Sequence, residues 1–138
     1  MKSDRGSVTM WMLGLSLLLL LFGGLVIDFW RALALQRELA AIADSASVAA
    51  ASGIDEEHYR LTGEVLIDPH RATTFGADYV AAQDAGLRDI AISTAADRSA
   101  VTVLVVDVLE LGLMGVFVDQ TEPLTVTAEA TALPVLVP

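Results

Sequence analysis

Three carboxylates and an imidazole stand together at Asp55-Glu56-Glu57-His58. Those groups could offer hard oxygens and one nitrogen to a metal ion. The cluster lacks the ligand spacing of a built site, so it reads as a solvated polar loop. The second histidine, His70, falls two residues into a helix start and reads as exposed. HExxH, P-loop and GxSxG patterns are absent. The chain has no cysteine, which excludes disulfides, Cys-ligated zinc, iron–sulfur clusters and thiol catalysis. The expectation is a protein with no catalytic set, no metal and no cofactor.

Asp28 and Arg31 matter for where they stand. Three residues apart on a helix, they share a face and can pair. They follow a run of 20 residues without a charge, Val8 to Ile27. About 20 apolar residues are what a helix needs to cross a hydrocarbon core of about 30 Å. Trp11 and Trp30 bracket the run, where interfacial aromatics belong. The Asp28/Arg31 pair therefore reads as a marker of the membrane exit, with an inter-subunit charge contact as the functional alternative. Gly23-Gly24 is a flexible point or packing notch within the span.

No later segment reads as a second span. Val101–Val118 contains Asp107 and Glu110, each costing about 2.5–3.5 kcal/mol at a bilayer centre. The first run exceeds the 7–15 residues of a signal-peptide core. Asp28-Phe29-Trp30-Arg31 follows it where a small-residue cleavage site would be needed, and Ala49–Ala51 is too far downstream. An uncleaved anchor is expected. Lys2 and Arg5 before the span tip its orientation towards a cytoplasmic N-terminus.

Charge is uneven along the chain. Residues 1–52 balance, so residues 53–138 carry the whole net charge of −10. An acidic outer portion argues against nucleic acid and anionic lipid as ligands, since both need a basic face.

Past Asp28 the helical pattern continues without a Gly, a Pro or a turn cluster to Ala51. A helix from about Ser7 to Ala51 would be about 65 Å long. Its outer half places Leu35, Leu39, Ile42, Ala46 and Ala49 on one stripe, with Arg37, Asp44 and Ser45 off it. The small side chains of Ala43–Ala51 also allow close approach by other helices. Ser52-Gly53 ends the helix. A polar loop and a short strand at Glu64–Ile67 come next. Asp68-Pro69 is an N-cap followed by Pro at the first helical position, opening a helix over about Pro69–Ala85. Ala72, Phe75, Tyr79, Val80 and Ala82 face one side, and Gly86 terminates it.

Three strands follow by pattern. Arg88–Ser93 alternates; Ala100–Val108 is β-branched on both faces, as in a central strand; Leu124–Ala132 places Leu124, Val126, Ala128, Ala130 and Ala132 inside and threonines with Glu129 outside. Ala95–Ser99 makes a hairpin loop, and Leu109–Val118 reads as a short apolar helix or turn. The expected fold is α+β: a long transmembrane helix extending into a small domain with a second helix and a three-stranded antiparallel sheet.

Arg5-Gly6-Ser7, the apolar run, Gly24–Asp28, Arg31, Leu35–Leu39 and Ala43–Ala51 together resemble the N-terminal region of TadE/TadG-like pilus-assembly proteins. Leu66–Ala72 with Asp78–Val80, and Thr125–Ala132, resemble later parts of that family more weakly. The resemblance implies a pilin-like fold and a membrane-anchored component of the tight-adherence (Flp) pilus machinery. It also implies a processing site at Gly6-Ser7, with a prepilin peptidase as partner. The fifth residue from Ser7 is Trp11, where processed pseudopilins carry Glu. That departure points to the TadG-like branch or a minor component.

The expected organisation is a cytoplasmic tail or leader over 1–7, a span over 8–27, an extracytoplasmic helix over 28–52 and a small domain over 53–138. The expected location is the bacterial cytoplasmic membrane, single-pass. The expected partners are the membrane, other pilin-like subunits and Tad-type platform proteins, and not nucleic acid. Membrane-interface or inter-subunit contacts are expected at Trp11, Asp28, Trp30 and Arg31, and helix packing, against a partner or against the chain's own sheet, at Leu35, Leu39, Ile42, Ala46, Ala49 and Ala50. The alternative is a membrane-tethered sensor or binding module, with its ligand site at Asp55–His58 or the LGLMGVF segment.

Overall fold

The computed structural model describes residues 5–83, 85–110, 112 and 123–134. Among them are three helices, α1 (Arg5–Ala51), α2 (Glu56–Thr62) and α3 (Pro69–Ala82), and three strands, β1 (Asp89–Thr94), β2 (Val101–Leu109) and β3 (Leu124–Ala132). The sheet is antiparallel in the order β1-β2-β3. The fold is α+β, as the pattern predicts.

α1 runs for 47 residues and passes through Gly23-Gly24 as continuous helix. Its outer half buries Leu39, Ile42, Ala43, Ala46, Ser47, Ala50 and Ala51. The alternating spacing of 3 and 1 makes a stripe two residues wide, which a helix needs to fill a corner between two neighbours. One neighbour is the sheet, with α1 lying over β2 and β3; the other is α3, which itself covers β1. Val101, Val103 and Val105 of β2 complete the core with Ile67 and Ala72. Ser47 is fully buried without penalty because its hydroxyl donates to the Asp44 carbonyl at 2.8 Å.

The predicted polar loop after Gly53 is instead helix α2. Asp55 caps it by accepting from the His58 amide, Glu56 and Glu57 occupy its first turn, and Gly63 ends it at φ 76°. These are ordinary start and stop signals. The predicted strand at Glu64–Ile67 reduces to one bridge, Ile54 with Ile67, and an amide bond from Asp55 to the Leu66 carbonyl at 2.9 Å. α3 begins as predicted, with Asp68 accepting from the His70 and Arg71 amides. It stops at Ala82, not Ala85, because Gln83 donates back to Val80 and tightens the last turn; Gly86, at φ 60°, lies beyond it.

The buried side of α3 differs from the expected one. Ala72 and Gly76 are buried, Tyr79 and Val80 half-buried, and Phe75 and Ala82 exposed. Gly76 takes the contact because a Cβ there would lie 2.8 Å from Ile92 Cδ1 and 3.2 Å from Ala50 Cβ. The two helices therefore cross at a point with room for backbone and little else. Gly53 is tighter still. A Cβ there would sit 2.7 Å from the Ala72 backbone nitrogen, and the Gly53 carbonyl accepts from the Asp68 amide at 2.8 Å. Gly53→Ala is expected to push α3 off the end of α1 and cost about 1–2 kcal/mol, measurable as a lowered urea midpoint.

β1 and β2 each lie one residue later than expected, and β3 has the expected bounds. β2 is central; Val101, Val103, Val105 and Leu109 are buried, while Asp107 in the same register and Thr102, Leu104, Val106 and Val108 on the other face are half-exposed. β3 alternates as predicted except at Leu124, which is exposed. Of the predicted apolar helix or turn at Leu109–Val118, Leu109 ends β2; Leu111 and residues 113–118 lie outside the described residues.

Candidate functional site

α3 starts against Gly53 and passes Ala50 and Ala46, so it runs back along α1 towards the span. β1 then leads away from the span, β2 returns, and β3 leads away again. This alternation brings the Ala85–Asp89 link, the end of β2 and the start of β3 to the span end of the sheet. The Ala95–Ser99 hairpin goes to the far end, beside α2.

At the span end the chain closes on Asp28. The Asp28 side chain is buried, with 5% of the residue exposed. The Gly112 amide donates to its Oδ1 at 3.1 Å. A Cβ on residue 112 would lie 2.9 Å from that oxygen and 3.3 Å from Arg31 Nη1. Carboxylate and guanidinium thus converge on one glycine, three residues past the end of β2. The two side chains expected to pair on one helix face both lie against Gly112 of this chain. Gly112 is the residue that sequence reasoning missed. Nothing in LELGLMG distinguishes it, because the contact spans 84 positions.

The other predicted residues divide into two groups. Trp11 and Trp30 are exposed, as is most of the apolar surface from Val8 to Ile27, where Gly24 is buried and Leu21 half-buried. Gly6 and Ser7 lie in the first turn of α1. Leu39, Ile42, Ala46 and Ala50 are buried in the core, with Leu35 and Ala49 half-buried beside them. The small side chains expected to admit other helices admit α3 of the same chain. The face of α1 turned away from the domain presents Trp30, Ala34, Arg37, Ala41, Asp44 and Val48.

The acidic cluster at the far end is held by partners within the fold. Asp55 receives the His58 amide at 3.0 Å and Arg98 Nη1 at 3.0 Å. Glu56 meets Arg71 Nη1 at 2.9 Å, and the same nitrogen donates to the Ile54 carbonyl at 2.9 Å. His58 turns its Nε2 to Glu64 Oε2 at 3.6 Å. Among the described residues no group of three or more His, Asp or Glu is arranged to hold a metal ion. Arg98, at φ 58°, sits in the hairpin with its carbonyl accepting from Ile67. The Asp55–Arg98 pair therefore ties the start of α2 to the β1–β2 turn.

The bond from the His58 amide, followed by Arg98, holds the Asp55 carboxyl below its usual 3.8. Asp97 is lowered by the Ser99 hydroxyl and then the Ser99 amide. A carboxylate depressed in the folded state contributes stability above its unfolded value, lost as pH falls through the folded one. The far end is therefore expected to loosen as pH drops below 3.8, seen as faster exchange of the His58 and Ile67 amides. Asp55→Asn should lose part of that pH dependence.

The description "Flp pilus-assembly TadE/G-like" belongs to a family model that matches residues 6–53. The match covers nearly all of α1 and ends at Gly53, where α3 meets it. No curated protein and no solved structure matches the chain. The matched family is a structural, pilus-assembly family. Residues 6–53, from the apolar run to the helix on which the sheet is built, are similar to the TadE/TadG-like family.

Proposed function

We propose that the protein is a membrane-anchored, pilin-like component, a minor pilin or pseudopilin, of a Tad/Flp tight-adherence pilus or a related secretion apparatus. It acts by assembly and not by catalysis. Residues 8–27 span the bacterial cytoplasmic membrane with the N-terminus inside, residues 28–52 continue the helix outside, and residues 53–138 form the outer domain. The carrying observation is the 47-residue α1, which is apolar and open over its first half and core-forming over its second. One rigid rod then transmits position from lipid to domain.

The burial pattern supports a specific packing mode. Partner helices would meet α1 along its open span and along Ala34, Arg37, Ala41, Asp44 and Val48, since its other outer face is filled. Trp11 stands where a processed pseudopilin offers a carboxylate to a neighbour's terminal amine, which favours a minor or TadG-like role. Gly6-Ser7 would be the peptidase site. Two measurements test the reading. Loss of the gene should abolish or shorten Tad pili and reduce surface adherence, and Ala41→Cys or Val48→Cys should crosslink to a Tad subunit or platform protein. Normal pili without the gene, together with no crosslink, would overturn it. An intact mass starting at Ser7 would establish processing. The rival binding module has lost one motive, since Asp55–His58 is the capped start of α2.

A further inference from the structure

The position of Gly112 has a consequence for how the outer domain stands relative to lipid. Twenty uncharged residues end at Ile27, which at about 1.5 Å per residue fills a core of about 30 Å and puts Asp28 at its edge. Gly112 is bonded directly to the Asp28 carboxylate. Each head-group layer is about 5–7 Å deep, so Gly112 falls within it. Leu109, three residues back at the end of β2, is paired with Leu124 at the start of β3. Three residues reach at most about 10 Å, so this end of the sheet lies no more than about 10 Å from Gly112, within or next to the head groups.

The side chains at that level suit such a place. Leu124 occupies the inward register of β3, yet it is 47% exposed while Val126, Ala128 and Ala130 above it are half-buried. Phe29 and Trp30 are 63% and 67% exposed on α1 beside Asp28. Aromatic and large apolar groups with polar backbone nearby favour the membrane interface.

We propose that the outer domain is seated on the bilayer. The β2–β3 end of the sheet rests in the head-group layer, and the Asp28–Gly112 hydrogen bond holds it there. Phe29, Trp30 and Leu124 face lipid, which is a second contact with the membrane besides the span. The domain is therefore fixed in height and tilt, and does not swing on a free stalk. The inference rests on the reading of α1 as an inserted span.

The chain has no cysteine, so single-cysteine variants of the full chain can carry one nitroxide each in phosphatidylcholine/phosphatidylglycerol vesicles. Collision with oxygen reports lipid, and collision with a water-soluble nickel chelate reports water. Leu18→Cys should read as lipid and Ala96→Cys, in the far hairpin, as water. Leu124→Cys should show severalfold less nickel access than Ala96→Cys. Pro123→Cys, outside the strand, reads the same depth if the Leu124 variant folds poorly. Adding Asp28→Ala should raise nickel access at position 124 towards that of Ala96→Cys. Water-like access at 124 and 123 with Leu18→Cys in lipid would overturn the seating and leave the anchor standing. A water-like Leu18→Cys would overturn anchor and seating together. No change on Asp28→Ala would overturn the role of the hydrogen bond.

Discussion

Ala46→Arg is expected to unfold the outer domain, at a cost of about 4 kcal/mol or more. Ala46 is fully buried, and α3 approaches it so closely that Gly76 stands opposite with its Cβ position 3.6 Å from the Ala46 carbonyl oxygen. An arginine there has neither volume nor a counter-charge, and cores relieve overpacking only by moving helices. Ala41→Arg, one and a half turns earlier on the exposed face, should stay within about 0.5 kcal/mol of the parent. Amide exchange at Val103 and Val105 reads both, because these sit in the core under α1. A parent-like exchange pattern in Ala46→Arg would show the α1–α3 contact to be wrong. The pair also separates folding from assembly. Failure of Ala46→Arg in pilus formation would report a lost domain, whereas failure of a stable Ala41→Arg would report a lost partner.

Asp28→Ala should release Gly112 at a cost of about 2–3 kcal/mol, the range for a buried hydrogen bond to a charged group. The carboxylate accepts the Gly112 amide at 3.1 Å and has 5% of its residue exposed. Removing it strands that amide away from water. Each 1.4 kcal/mol is about tenfold in an opening equilibrium, so exchange at Gly112 should rise by about 30-fold or more. Val103, held by the core, should barely change. Equal acceleration at both sites would mean that Asp28 supports the whole domain and not its lower end. Asp28→Asn keeps an acceptor and should fall between.

Much of the fold was legible because it rests on local patterns. The charge-free run of α1, the Asp68-Pro69 start of α3 and the strict alternation of β3 each depend on neighbours within a few positions. α2 was equally legible and was overlooked, since Asp55 and Gly63 are a standard cap and stop. Acid groups that looked available for metal were occupied as a cap and as ion pairs. Arg98 and Arg71, 43 and 15 positions away from their carboxylates, pair with Asp55 and Glu56, and Arg60 pairs with Glu56 one helical turn away.

By itself, then, the sequence determined that the chain carries one long apolar helix, a helix opening at Asp68-Pro69 and three antiparallel strands. It also carried the TadE/TadG-like signature of residues 6–53. The tertiary structure alone decided which face of α1 is taken. Periodicity shows that a helix has an apolar stripe, and is silent on whether a partner or the same chain fills it. Gly76 over Ala46 and Ala50 settles that the occupant is α3. The structure alone also joined Asp28 to Gly112. A hydrogen bond across 84 residues follows from strand order and loop return, and no local preference encodes it.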